Sequence, residues 1–259
     1  MAHGESLSGL RRLWWTAYST VFWLFVAVSS ILLFPVAVLI WLLTAPLDPR
    51  KRLLHLFTCF WASLYSWLNP VWRVRVEGRE RLPRNRPTVF VANHLSLVDI
   101  LVLFRTFTDF KWVSKIEIFG IPVIGWNMRL NDYIPIDRGN RESARAMIRQ
   151  CEEALGRGSP IMMFPEGTRS LDGRLRPFKP GAFELALKTA CPIQPILIEG
   201  SGAALPKHGL VLRGRHPITI TILDPLEPAA FADRDPETLA ADVHALFAAE
   251  QAARGSSTN

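Results

Sequence analysis

The sequence is poor in cysteine, with Cys59, Cys151 and Cys191 only, an odd number at no paired spacing. This argues against a disulfide framework and fits a reducing compartment. His3, His55, His94, His208, His216 and His244 form no H-x-x-x-H pair and have no C-x-x-C companion, so no bound metal is expected. The formal charge is +7 and the pI about 9.8, yet no run of five or six basic residues occurs. C2H2, RNP and GXXG patterns are also missing, so a nucleic-acid partner is not expected. The basic residues are instead scattered, at Arg11 and Arg12, Arg50 to Arg52, Arg79 to Arg86, and Arg213 and Arg215. A G-x-S-x-G elbow is lacking too, which removes the serine nucleophile of the α/β-hydrolase type.

Charge itself is missing from Leu13 to Leu47. Hydrophobic residues make up 49% of the chain and mean hydropathy is +0.16, so some apolar surface is expected to meet lipid. Val21 to Leu43 as a helix would reach roughly 35 Å, more than the ~30 Å hydrocarbon core. One tilted span is therefore expected. Two half-helices broken at Pro35 are the second option, and a cleaved signal peptide is disfavoured because the run far exceeds an h-region. Trp14, Trp15, Trp23 and Trp41 are spaced as interfacial anchors. Arg50, Lys51 and Arg52 then precede Leu53–Leu68, which reads as an interfacial or docking helix rather than a span. The positive-inside rule places the bulk of the protein in the cytoplasm, on the inner membrane.

Residues 1–69 thus read as a membrane-anchoring helical segment and residues 70–259 as the globular domain. Trp72, Val74 and Val76 alternate with Arg73, Arg75 and Glu77, a strand signature. The apolar run Thr88–Ala92 reads as a strand buried on both faces. Further strands are expected at Lys111–Val113, Tyr133–Ile136, Pro160–Phe164, Ile193–Ile198 and Ile218–Leu223. Helical patterns separate them at Ile100–Phe107, Glu142–Leu155, Ala182–Thr189 and Glu237–Ala253. This alternation implies an α/β fold, a mixed sheet flanked by helices.

The chemistry-bearing stretches fall at strand ends. In VANHLSLVDI, His94 and Asp99 stand five apart, and on a straight helix they would point about 140° apart. They meet only if the chain turns between them, and Ser96 with Asp99 forms an S-x-x-D capping box that would make this turn. Asp99 is therefore either a helix cap or an acid–base partner, and both readings require one geometry. In IMMFPEGTRS, Glu166, Gly167, Thr168 and Arg169 can present backbone N–H groups and a guanidinium to an anion. Glu166 paired with Arg169 in an ordinary turn is the alternative. In YIPIDRGNR, Arg138 either binds an anion or pairs with Asp137.

NHLSLVD, IPIDR, FPEGTRS and PIQPI, in that order, resemble the glycerolipid acyltransferase family, and the bacterial lysophosphatidate (1-acyl-glycerol-3-phosphate) acyltransferases within it. The resemblance runs from Val71 to Ile222 and takes in FKPGAFELA. It implies transfer of a fatty acyl group from acyl-CoA or acyl-carrier protein to the sn-2 hydroxyl of lysophosphatidate, with no metal or organic cofactor. His94 would act as general base, since imidazole titrates near about 6.5. Asp99 would orient its ring, and the capped helix N-terminus would help polarise the thioester carbonyl. Arg169 is the first candidate for the acceptor phosphate, then Arg138, then Lys179; Glu166 and Gly167 would shape the loop. One departure concerns Asp132, where the family usually has glycine, with Pro135 replacing a larger apolar residue. This bears on the shape of the acceptor site and keeps other acceptors open, a lyso-ornithine lipid or another lysophospholipid. A lipid-binding protein without turnover and a thioester hydrolase are the remaining alternatives.

Overall fold

A computed structural model of the chain describes residues 9–207, 209–212 and 214–256. His3, His208 and Arg213, named above, lie outside them. Seven strands form one sheet in the order β1-β7-β6-β2-β5-β3-β4: β1 (Trp72–Glu77), β2 (Val89–Ala92), β3 (Lys111–Lys115), β4 (Ile134–Ile136), β5 (Ile161–Met163), β6 (Ile193–Glu199) and β7 (His216–Ile222). Neighbours pair in parallel except β6 and β7, which are antiparallel. The sheet is mixed and flanked by helices, as the alternation of patterns implies.

Strand pleating sends successive side chains to opposite faces, and the two cores follow from it. Phe90 and Ala92 join one apolar cluster, while Val89 and Val91 join the other. Against the second face lie α5 (Arg141–Gly156), α6 (Gly181–Thr189) and α8 (Pro236–Ser256). Asn140 caps α5 by accepting from Glu142 N and Ser143 N. The first face carries α1 (Gly9–Thr44), α2 (Arg52–Trp67), α3 (Val98–Leu103), α4 (Ile124–Leu130) and the short α7 (Ser201–Ala204). Because α3 starts two residues earlier than the apolar pattern indicates, Asp99 falls in its first turn.

Helix α1 is unbroken through Pro35, so the two-half-helix option does not hold. It is long and apolar enough to cross a membrane, with a length of about 54 Å. One side of it, however, is tied to the rest of the molecule. Tyr18 Oη donates to Asn69, Ser19 Oγ accepts from Leu212 N, and Trp23 Nε1 donates to Leu210 O. Further along, Tyr65 Oη sits 3.0 Å from Ser30 Oγ, and Phe34 packs on Trp126. The opposite side exposes Leu13, Trp14, Val21, Leu24, Val28, Ile31 and Leu32.

Helix α2 docks through buried residues, among them Leu54, His55, Cys59 and Trp61. His55 Nδ1 lies 2.8 Å from Tyr133 Oη and Nε2 lies 2.9 Å from Thr108 O. Burial, more than the nearby Lys111 cation, pushes its pKa down to about 3, so the ring is a neutral structural link.

Asp132 proves to be a backbone position. It has φ +54° and follows the end of α4, where Asp132 N bonds Arg129 O and Tyr133 N bonds Met128 O. These two bonds are those of a Schellman motif, whose left-handed residue is usually glycine. Asp132 precedes β4 while Arg138 follows it, a separation of roughly 20 Å at about 3.3 Å per residue. The departure from glycine therefore lies at the amino end of the sheet and does not shape the end that carries His94. We expect Asp132→Gly to change stability by no more than about 0.5 kcal/mol, and Asp132→Val to lower it by about 1–2 kcal/mol. Chemical denaturation checks both, and activity should be unchanged in each folded variant.

Candidate active site

Four loops converge where β2, β5, β3 and β4 end, the edge at which parallel α/β sheets place their ligands. Asn93 extends β2 by a side-chain clamp: its Nδ2 donates to Ile198 O at 2.8 Å and its Oδ1 accepts from Ile198 N at 2.7 Å. This fixes the backbone on one side of His94. On the other, His94 N donates to Glu166 Oε1 at 2.7 Å and His94 O accepts from Ser170 N at 2.8 Å. The histidine loop and the PEGTRS loop are therefore locked together around a single residue.

The imidazole is equally constrained. Nδ1 lies 2.8 Å from Asp99 Oδ2, and Asp99 is completely buried. The same oxygen accepts from Leu95 N at 2.6 Å and Ser96 N at 2.8 Å. An oxygen that gathers N–H donors acts as a carboxylate acceptor, so Nδ1 carries the proton and Nε2 keeps the lone pair. Phe164 stacks on the ring at 4.0 Å and 8°, and Trp112 stacks on Phe164 at 5.4 Å. Ser96 makes the turn: its Oγ accepts from Val98 N and donates to Leu205 O. The capping box and the histidine–aspartate couple are thus one structure.

At the N-terminus of α3, Leu95 N and Ser96 N are held by Asp99 and Val98 N by Ser96, so these three are not donors for a thioester oxygen. The alternative pairing of Glu166 with Arg169 does not form. Buried, Glu166 spends Oε1 on His94 N and Oε2 on Arg176 N, which makes it the residue that shapes the loop.

The cations lie on the neighbouring strand ends. Arg169 follows β5 and is half-exposed, its main-chain oxygen held by Lys207 Nζ at 2.7 Å. Arg138 follows β4 and does not stand alone: partial desolvation lowers its pKa, Glu117 opposes this, and the Arg169 cation adds to the lowering. The two guanidiniums thus share one neighbourhood. Lys115 ends β3 and pairs with Glu117 at 2.6 Å, which brings a third cation there. Sequence reading passed over Lys115, although a lysine closing an apolar strand signalled it, and it also missed Phe164. Gly167 has φ +69°, and a Cβ there would meet Lys179 Cε and Nζ at 3.0 Å. Lys179 therefore packs against the turn, with Thr168 half-exposed beside it.

The structure thus places a histidine–aspartate couple and clustered cations at the carboxyl ends of the strands of an α/β domain. Residues 73–199, just under half of the chain, match the family model described as Acyltransferase. It is 38% identical over 82% of its length to a 1-acyl-sn-glycerol-3-phosphate acyltransferase of Chlamydomonas reinhardtii, covering 64% of that protein. With a chloroplastic 1-acyl-sn-glycerol-3-phosphate acyltransferase of Arabidopsis thaliana it shares 41% identity over 61% of its length, covering 45% of the relative. The chain thus spans between under half and just under two thirds of these relatives. The crystal structure of PlsC, a 1-acyl-sn-glycerophosphate acyltransferase of Thermotoga maritima, has the same fold. It superposes with a TM-score of 0.71 at 23% identity, over 92% of this chain and 98% of that one.

Glu166 gives a pH test of this geometry. Burial pushes its pKa up to about 7, against the two N–H bonds that lower it. Between the usual glutamate range and that value, the folded chain holds a proton that the unfolded chain has released. This group therefore contributes stability that is lost as pH rises through the window. Urea midpoints at about pH 5 and about pH 8 should fall less in Glu166→Gln than in wild type. An equal fall would assign the slope to other groups.

Proposed function

We propose that this protein transfers a fatty acyl group from acyl-CoA or acyl-carrier protein to the sn-2 hydroxyl of lysophosphatidate, giving phosphatidate. The observation that carries this reading is the His94–Asp99 couple, held at 2.8 Å, with His94 O bonded to Ser170 N next to Arg169. His94 Nε2 takes the hydroxyl proton as the substrate oxygen attacks the thioester carbonyl. Asp99 stabilises the imidazolium that forms, and the tetrahedral intermediate expels the thiolate, which receives the proton. The substrate oxygen is the nucleophile, so the enzyme needs none, and these residues require no metal or cofactor. Arg169 binds the acceptor phosphate, with Arg138 and Lys115 beside it and Lys179 supporting the turn. The names of the curated relatives support the same acceptor.

Residues 1–69 serve as the membrane anchor of a catalytic domain that spans residues 70–259. The domain-side contacts of α1, from Tyr18 to Phe34, favour a helix lying in one leaflet over a helix that leaves the domain to cross the bilayer. The arrangement suits an acceptor drawn from the cytoplasmic leaflet of the inner membrane. An apolar approach also limits water, which would waste the thioester.

Membranes carrying the protein, given labelled palmitoyl-CoA and a panel of lysolipids, should label phosphatidate. His94→Ala should lower this by roughly 10²–10⁴-fold. Arg169→Gln should raise KM for lysophosphatidate by roughly tenfold or more, the loss of a charged hydrogen bond. Labelling of another lysolipid alone would keep the mechanism and change the acceptor. Free fatty acid without an acylated product would make the protein a hydrolase, and equal labelling by wild type and His94→Ala would remove the proposed chemistry.

A further inference from the structure

At the amino ends of β2, β3 and β5, the opposite end of the sheet from His94, a cavity of about 280 Å³ is lined by Arg50, Arg52, Arg79, Arg84 and Arg86. Asp109 is the one carboxylate in its lining, and Glu227 pairs with Arg86 at 2.6 Å. Of the others, Arg84 is exposed, Arg50 and Arg52 lie near Asp109, and three bond neutral oxygens. Arg50 donates to Gly158 O, Arg52 to Asn85 Oδ1, and Arg79 to Thr106 O and Arg105 O. Five cations facing one concavity, with the three carboxylates Asp48, Asp109 and Glu227 near them, favour an anion that can accept bidentate hydrogen bonds.

The wall of this cavity continues into exposed apolar surface. Phe107 lines it and stacks on Trp67 at 6.0 Å and 18°. Trp67 in turn lies 6.1 Å from Phe60. Leu53, Phe60 and Trp67 recur every seven residues on α2, so they share one helix face, and they are 54%, 42% and 45% exposed. Cations rim this surface: Arg105 sits over the Trp67 ring at 5.6 Å and Lys51 over Trp41 at 5.9 Å. An apolar stripe with a cationic rim is the pattern of a surface that lies at the level of lipid headgroups.

We propose that the arginine cavity is a second lipid site, which takes the phosphate headgroup of an anionic bilayer lipid and fixes the domain on the membrane. It is separate from the acceptor-phosphate site, being at the other end of the strands. The occupant is a lipid rather than a soluble anion because the cavity opens beside the stripe that would enter the leaflet. The inference rests on the membrane-surface part of the reading above and is independent of acyl transfer.

The full-length protein is floated with vesicles of phosphatidylcholine alone and of phosphatidylcholine mixed with an equal amount of phosphatidylglycerol. Wild type should prefer the anionic vesicles. Arg52→Gln combined with Arg84→Gln should weaken anionic binding at least tenfold and leave neutral binding unchanged, since each basic residue near such a surface contributes a several-fold factor. Arg73→Gln combined with Arg75→Gln removes the same charge from the exposed side of β1 and should cost much less. Equal thermal midpoints would show that both double variants are folded. Equal binding of wild type to both vesicles, or equal weakening of the two double variants, overturns the cavity site. Loss of the anionic preference in millimolar inorganic phosphate, at constant ionic strength, would make it a soluble-anion site and overturn the lipid assignment. Wild type that floats with neither vesicle overturns the membrane reading and this inference together, whatever the acyl-transfer result.

Discussion

One carboxylate oxygen organises the site. Asp99 Oδ2 accepts from His94 Nδ1, Leu95 N and Ser96 N, so the chain between His94 and Asp99 is wrapped around it. The wrap starts α3, sets the imidazole tautomer and buries a charge that three N–H donors offset. Glu166 does for the neighbouring loop what Asp99 does for its own, by holding His94 N and Arg176 N on its two oxygens. Two buried carboxylates thus fix one histidine from the ring and from the backbone. That arrangement leaves the lone pair on Nε2 and gives the ring one plane, against Phe164.

The same end of the sheet is joined to the N-terminal helix. The segment after α7 touches both: Ser96 Oγ donates to Leu205 O and Lys207 Nζ donates to Arg169 O. Trp23 and Ser19 of α1 bond Leu210 O and Leu212 N. Leu210 and Leu212 thus hold α1, while Leu205 and Lys207 hold the loops that carry Ser96 and Arg169. Helix α1 also shares an apolar core with the sheet, through Phe22 and Ala37.

Much of this was legible in the sequence because it depends on local patterns. Every expected strand formed, since apolar runs of this length bounded by turns and prolines leave few alternatives. His94, Asp99 and the PEGTR turn were visible as polar residues interrupting such runs. That Glu166 shapes its loop was expected, but its partner His94 N, 72 positions away, was not legible. Lys115 and Phe164 were missed for the same reason, as their significance comes from strand order in the sheet. Asp132 shows the reverse case. It read as a functional departure, and its left-handed backbone at the end of α4 accounts for the glycine usually found there.

The central claim is that Asp99 both caps a helix and orients a base, and Asp99→Asn separates the two roles. Asparagine has the same shape and keeps an oxygen that can accept from Leu95 N and Ser96 N, so the variant should unfold close to the wild-type midpoint. It cannot offer the imidazolium a negative charge, so the rate of acyl transfer should fall by roughly 10²–10⁴-fold. A folded Asp99→Asn protein that transfers at the wild-type rate would reduce Asp99 to a cap and contradict the account.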